Sequence, residues 1–244
     1  MTSLSGKNVL ITGGATGIGW GIAHAFAQAG ANVAISGRRE DKLLEATTSW
    51  KGPNKILAHT VNVAERASVQ ALFAWADEEL GKIDILVCSA GMNIKNRMLS
   101  EMLPEQWDEV LAVNATGVYN CLYQVLPQMR ARQDGLIFIV SSISGKRAAP
   151  LGGVAYNASK FAATGLGTSA WSEEAPNGIR ITNIYPGEVD TPILEHRPQP
   201  VSAERRSTML RPDDVAAMVI AVSQLPPHAH VPELIIKPTV QAYV

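Results

Sequence analysis

The chain has 244 residues, of which 46% are apolar and 18% charged, with a net charge of −1. That composition supports a buried core and excludes a disordered chain, and the near-zero charge argues against a nucleic-acid or anionic-membrane surface. No segment reaches the about 18 apolar residues that span a bilayer, the opening residues show no secretory leader, and the two cysteines, Cys88 and Cys121, form neither a disulfide framework nor a zinc pattern, so a reducing, cytoplasmic setting is expected.

Residues 7–12 are an apolar run ending in a glycine cluster, the pattern of a buried strand entering a turn. Ile18, Ile22, Ala25, Phe26 and Ala29 then follow helical spacing, closed by Gly30. A second strand is expected at 31–36, a helix at 40–50 and a third strand at 55–61. Val69, Leu72, Phe73, Ala76 and Leu80 mark the next helix, stopped by Gly81, and 83–87 reads as the fourth strand. A helix opens at Pro104, and its pattern extends to about Arg132, with bends expected at 114–117 and near Pro127. A strand at 135–141, a helix at 153–174, a strand at 179–185 and the stop Pro186-Gly187 follow. Val215, Met218, Val219 and Val222 give the last helix, and 233–237 the last strand.

The strands are near-continuous apolar runs without polar alternation, so both faces of the sheet must be covered. Strand–helix alternation therefore predicts a Rossmann-type, doubly wound parallel sheet of about seven strands with helices on both faces, a three-layer α/β arrangement. The whole of 1–244 reads as one dinucleotide-binding and catalytic domain. Two irregular stretches leave carboxyl ends of strands, 88–103 and 188–211. The second is rich in proline and charge and is expected to form a substrate lid.

Three stretches carry chemistry. The turn Thr12-Gly13-Gly14-Ala15-Thr16-Gly17-Ile18-Gly19 lies between the first strand and first helix. Glycines there permit a tight turn and close approach to a pyrophosphate, while the helix N-terminus supplies amide donors and a positive dipole. After the second strand, Gly37 stands where a ribose-binding carboxylate is usual, and Arg38 and Arg39 follow. Guanidinium forks suit a 2′-phosphate, which favours NADP(H) over NAD(H). The alternative leaves the arginines solvated and gives the ribose to Glu40 or Asp41, although these suit the first turn of the next helix. Finally, Tyr156 and Lys160 share one helix face, and an ammonium beside a phenol favours proton transfer at neutral pH. His228 and His230 sit in a proline-rich loop without neighbouring ligands and read as solvated; no metal site is expected.

The ordered set Thr12-Gly-x-x-x-Gly17-x-Gly19, Asn114, Ser141-Ser142, Tyr156-x-x-x-Lys160 and Pro186-Gly187 resembles the short-chain dehydrogenase/reductase family over nearly the whole chain, and within it an NADP(H)-preferring carbonyl reductase or 3-oxoacyl-reductase-like member. The resemblance implies that Tyr156 is the general acid and base. It implies that Lys160 binds the nicotinamide ribose and lowers the Tyr156 pKa, that Ser142 holds the substrate oxygen, and that Asn114 holds a water passing protons to Lys160. Cofactor contacts are implied at Gly13, Thr16, Gly17, Ile18, Gly19, Arg38, Arg39, Asn62, Val63, Ala90, Gly91, Pro186, Gly187, Val189 and Thr191, in addition to Tyr156 and Lys160. Ser144 is expected in the pocket wall, with Leu151, Glu188 and residues 92–98 also setting specificity. The chain departs from the pattern where Cys88-Ser89-Ala90-Gly91 replaces Asn-Asn-Ala-Gly, losing an asparagine that ties strands, and where Asn62 replaces an aspartate. The small residues Ala158, Ala162, Ala163 and Gly165 permit close packing of this helix, and relatives imply a homodimer or homotetramer. A small carbonyl or alcohol is the implied substrate. An isomerase or dehydratase on the same scaffold, or a non-catalytic dinucleotide sensor, is the alternative reading.

Overall fold

In the computed structural model, which describes residues 2–242, seven strands form one sheet. They are β1 (Asn8–Thr12), β2 (Asn32–Gly37), β3 (Ile56–Thr60), β4 (Ile85–Cys88), β5 (Gly135–Val140), β6 (Ile179–Pro186) and β7 (Glu233–Ile236). Their order is β3-β2-β1-β4-β5-β6-β7, and every pair is parallel.

Successive strand residues point to opposite faces, and each face has its own apolar core. Val9 and Ile11 of β1 pack with α1 (Gly17–Gln28), α2 (Glu40–Ser49) and α8 (Pro212–Ser223). Leu10, between them, packs on the other side with α3 (Arg66–Leu80), α5 (Gly117–Arg132) and α6 (Val154–Glu174). All three strand residues are fully buried, and each such side chain contributes about 1.5–3 kcal/mol relative to exposure. This double burial is the physical reason the strands read as unbroken apolar runs.

The segment from Pro104 divides in three. α4 (Pro104–Leu111) starts at the proline, with the Leu103 N–H donating to Gln106 Oε1 at 3.0 Å. A π-helical turn, Ala112–Thr116, follows where the bend is expected. α5 then runs unbroken through Pro127, so the second expected bend ends no element. The stretch after β6 holds two short elements the sequence does not signal: a 3-10 turn at Pro192–His196 and α7 (Ala203–Ser207), which Ser202 caps by accepting the Arg205 N–H at 3.1 Å.

Candidate active site

The strand order turns back between β1 and β4, so the loops leaving their carboxyl ends diverge. They leave a cleft of about 680 Å³, within the size range of small-molecule sites. Its lining draws on the segments that follow β1 through β6.

The glycine turn forms one wall. Gly13 has φ +67°, and a Cβ there would lie 2.7 Å from the Ala90 backbone. A Cβ on Gly19 would lie 2.2 Å from Gly13 O. Neither position tolerates a side chain: at Gly13 the loops after β1 and β4 touch through bare backbone, and at Gly19 the turn closes on its own Gly13 carbonyl. The N-terminus of α1 has no side-chain cap and no acidic residue in its first turn. Its first residues, Gly17, Ile18 and Gly19, line the cleft, so their amide donors and the helix dipole suit an anionic group. A Cβ on Gly91 would meet only Lys160 Nζ at 3.4 Å and Asn114 Oδ1 at 3.5 Å. The bare glycine thus keeps open the space in front of Lys160. These features fit a dinucleotide.

At the outer end, Arg38, Arg39 and Lys42 line the cleft beside Gly37, while Glu40 and Asp41 do not. Arg38 Nη1 lies 3.4 Å from Glu109 Oε1, and both side chains are half-exposed, so the pair is weak and holds Arg38 loosely. Lys42 is absent from the motif reading. Its signal is positional: it sits in the first turn of α2, three residues after Arg39.

At the inner end, the Ser142 side chain opposes the upward push of burial on the Tyr156 phenol. Ser142 Oγ also accepts the Ser144 N–H at 3.1 Å. Ser141 Oγ instead donates to Lys160 O at 3.1 Å, so of the two serines Ser142 is the one that acts on Tyr156. Lys160 lies one turn along α6; its Nζ is 5.5 Å from the Tyr156 ring centroid and donates to Val140 O at 2.9 Å. Burial pushes the Lys160 pKa down to about 8. Burial also raises the Tyr156 phenol above its usual range, opposed by Ser142 and by the Arg97 guanidinium. The expectation that Lys160 holds the phenol low is therefore corrected. The net direction is upward, and the opposing charge comes from Arg97.

Asn114 does not line the cleft. It lies within the π-helical turn and braces the wall behind it: Oδ1 accepts the Met92 N–H at 2.8 Å, and Nδ2 donates to Met92 O and Ser159 Oγ, each at 2.9 Å. Cys88, in place of the strand-tying asparagine, is buried against Cys121. The tie comes from Thr12, whose carbonyl accepts the Ser89 N–H at 3.1 Å.

Asn62, Gly187, Ser144 and Leu151, all expected at the site, lie outside the cleft lining, and Leu151 is exposed. Asn62 donates to Glu65 Oε1 at 2.7 Å and accepts the Ala64 N–H at 3.3 Å, a local cap that turns its amide away, while neighbouring Val63 lines the cleft. Gly187 donates to Ile236 O at 2.7 Å and faces Lys237 and Gln241. Ser144 is buried beneath the wall. Thr16, Ala90, Pro186, Val189 and Thr191 line the cleft as expected. Away from the site, His230 is not solvated: Nε2 lies 2.9 Å from Ile181 O, and the ring packs on Trp171 at 4.9 Å.

The inner end is roofed by 188–197 and by Met92. Buried Arg97 connects the roof. Its Nε donates to Ile94 O at 2.8 Å, Nη1 to Leu151 O and Nη2 to His196 O at 2.9 Å. Glu188 accepts from Arg197 Nη2 at 2.8 Å and from Arg205 Nη2. Asp190 accepts from Arg206 Nη1 at 2.8 Å.

The family model described as short chain dehydrogenase matches residues 7–201. Oxidoreductase UcpA of Salmonella typhimurium is 38% identical over 227 residues, covering 93% of this chain and 82% of that protein. Glycine betaine reductase ATRR of Emericella nidulans is 34% identical over 96% of this chain, which spans 19% of that longer protein. The structure of an alcohol dehydrogenase from the archaeon Thermococcus sibiricus, complexed with 5-hydroxy-NADP, matches with a TM-score of 0.87 at 28% identity, over 97% of this chain and 98% of that one.

Proposed function

The chain belongs to the short-chain dehydrogenase family, and from that premise we propose that it is an NADP(H)-dependent oxidoreductase, a carbonyl reductase or 3-oxoacyl-reductase-like enzyme interconverting a carbonyl and a secondary alcohol. The observation that carries this reading is that Ser142, Tyr156 and, one turn on, Lys160 line the same cleft as the glycine turn, Arg38 and Arg39. The Thermococcus structure with an NADP derivative supports the choice of cofactor.

NADPH, when bound, supplies hydride at nicotinamide C4. Gly13, Thr16 and the amides of Gly17, Ile18 and Gly19 hold its pyrophosphate. Arg38 and Arg39, with Lys42, hold the 2′-phosphate. Lys160 donates to the nicotinamide ribose, and Val189 and Thr191 border the carboxamide. Ser142 Oγ accepts the Ser144 N–H, which leaves its own proton to donate to the substrate oxygen. Tyr156 transfers its proton to that oxygen in reduction and takes it back in oxidation. A phenol held above its usual range stays protonated at pH 7, which suits the reductive direction.

The test is NADPH consumption across a panel of ketones and aldehydes, with Tyr156→Phe beside wild type. Wild type should consume NADPH, and the variant should lose about 10²- to 10⁴-fold in kcat while still binding the cofactor. The reading fails if both proteins bind NADPH and neither oxidises it with any carbonyl.

The whole of 1–244 acts on this reading as one domain, with 188–211 closing over the substrate. Val154, Phe161, Tyr119 and Tyr123 are exposed on α6 and α5, and a Cβ on Gly165 would meet nothing. This apolar face supports a homodimer or homotetramer, which sedimentation equilibrium would test. Free thiols at Cys88 and Cys121 suit a cytoplasmic setting. No described helix is long and apolar enough to cross a membrane.

A further inference from the structure

The buried carboxylate in the roof of the cleft, Glu188, is outnumbered by the guanidinium groups around it. Arg197 lines the cleft with 14% of its side chain exposed. A guanidinium has five donors, and among the described residues Arg197 uses one, Nη2, on Glu188 Oε1 at 2.8 Å. Glu188 is not its partner alone, because the other carboxylate oxygen accepts from Arg205. Behind them Arg97, 8% exposed, donates only to the carbonyl oxygens of Ile94, Leu151 and His196. Arg97 and Arg197 are near enough for each charge to act on the other, and Arg97 also acts on Tyr156. Arg197 and Arg205 thus share one buried carboxylate, Glu188, and Arg97 pairs with no carboxylate among the described residues. The other acids of this segment do not redress the balance at Arg97 and Arg197: Asp190 is paired with Arg206, and Glu195 and Glu204 are exposed.

Buried cations without counter-charge are costly, and unmet donors in a part-buried site call for an acceptor. A carboxylate meets both needs through charge-assisted hydrogen bonds. Neutral acceptors such as water satisfy donors but leave the charge unbalanced. The contacts add a direction, since Arg97 acts on Tyr156 and donates to His196 O beside Arg197, whereas Arg38, Arg39 and Lys42 line the cleft beside Gly37.

We propose that Arg197, backed by Arg97, is the receptor for a carboxylate on the substrate, which makes the substrate pair an oxo acid and its hydroxy acid. This deepens the oxidoreductase reading and rests on it. The specificity element is then the roof segment after β6, and Glu188 is the internal carboxylate that holds Arg197 in place between turnovers.

The test is calorimetric titration of the NADPH-loaded protein with butyrate and benzoate, set against butyramide and benzamide, which match them in shape and lack the charge. The carboxylates should bind saturably and about tenfold or more tightly than the amides. Arg197→Gln should erase that preference, and Arg197→Lys should keep part of it. Amides binding as tightly as acids, carboxylates failing to saturate, or Arg197→Gln retaining the preference would each overturn the proposal. Binding needs no turnover, so the two claims separate. Reduction of ketones without carboxylate preference sinks the receptor alone, whereas carboxylate preference without oxidation of NADPH by any carbonyl sinks the oxidoreductase reading.

Discussion

Lys160 Nζ donates to Val140 O at 2.9 Å and stands 5.5 Å from the ring centroid of Tyr156, one turn back along α6. The residue is 4% exposed, and no carboxylate pairs with it among the described residues. On the proposed reading an ammonium in that place serves the nicotinamide ribose and adds nothing to the fold. The cost appears as a pKa pushed down to about 8 by burial.

Lys160→Met should therefore stabilise the protein while abolishing its activity. The sign follows from linkage. A lysine whose folded pKa lies below its unfolded value of 10.5 opposes folding fully below pH 8, and the penalty fades between about 8 and 10.5. Methionine removes up to about 3 kcal/mol of that penalty and leaves Val140 O without its donor, a loss of about 1 kcal/mol. Denaturant melts at pH 7 should place the variant about 1–2 kcal/mol above wild type, with the gap closing toward pH 10. A variant less stable than wild type at pH 7 contradicts the argument.

Arg38→Ala should discriminate between cofactors. The half-exposed pair with Glu109 contributes little to stability, so the melting temperature should barely move. Charge-assisted hydrogen bonds to a 2′-phosphate are worth about 1.5–3 kcal/mol, so the KM for NADPH should rise about ten- to a hundredfold. The KM for NADH should change by less than about threefold, within the scatter of a surface substitution. Equal weakening of both cofactors excludes the phosphate role.

Most of this fold is written in local pattern. Apolar runs such as 136–140 announce strands buried on both faces, and the bare turn from Gly13 to Gly19 announces a close backbone approach. The proposed proton-transfer pair is legible because Tyr156 and Lys160 are neighbours on one helix. What escapes the sequence is tertiary. Arg97 reads as a loop cation, because the carbonyls that hold it come from Ile94, Leu151 and His196, three separated segments. Asn62 is claimed by its own neighbours, Ala64 and Glu65, and a cofactor contact assigned by position ignores that competition. The direction of the Tyr156 shift was also hidden, since burial outweighs the nearby charges and depth cannot be read from spacing.

Asn114→Ala should act through the wall and not through a proton. Both ends of the side chain are committed to Met92 and Ser159, so truncation strips partners from buried groups at about 1–3 kcal/mol. Thermal melts should show that loss, and kcat should fall with it. Asn114→Asp is the sharper variant, because a carboxylate accepts from the Met92 N–H but cannot donate to Met92 O. It should be no more stable than the alanine variant. An Asp variant as stable as wild type overturns the bracing role.

Affinity for NADPH should weaken as pH rises through about 8, because Lys160 then loses the charge that holds the ribose. Below that pH the ammonium is present and binding is flat, provided the range starts near pH 7, above the titration of the 2′-phosphate itself, which lies near pH 6 for phosphate esters. Fluorescence titrations from pH 7 to 9.5 test this. Tyr156→Phe should leave the inflection where it is, since burial holds the phenol above its ordinary range and it does not ionise in this window. Lys160→Met should bind weakly and without inflection. If Tyr156→Phe abolishes the inflection and Lys160→Met keeps it, the titrating group is the phenol, and Lys160 has no charge-dependent part in holding the cofactor.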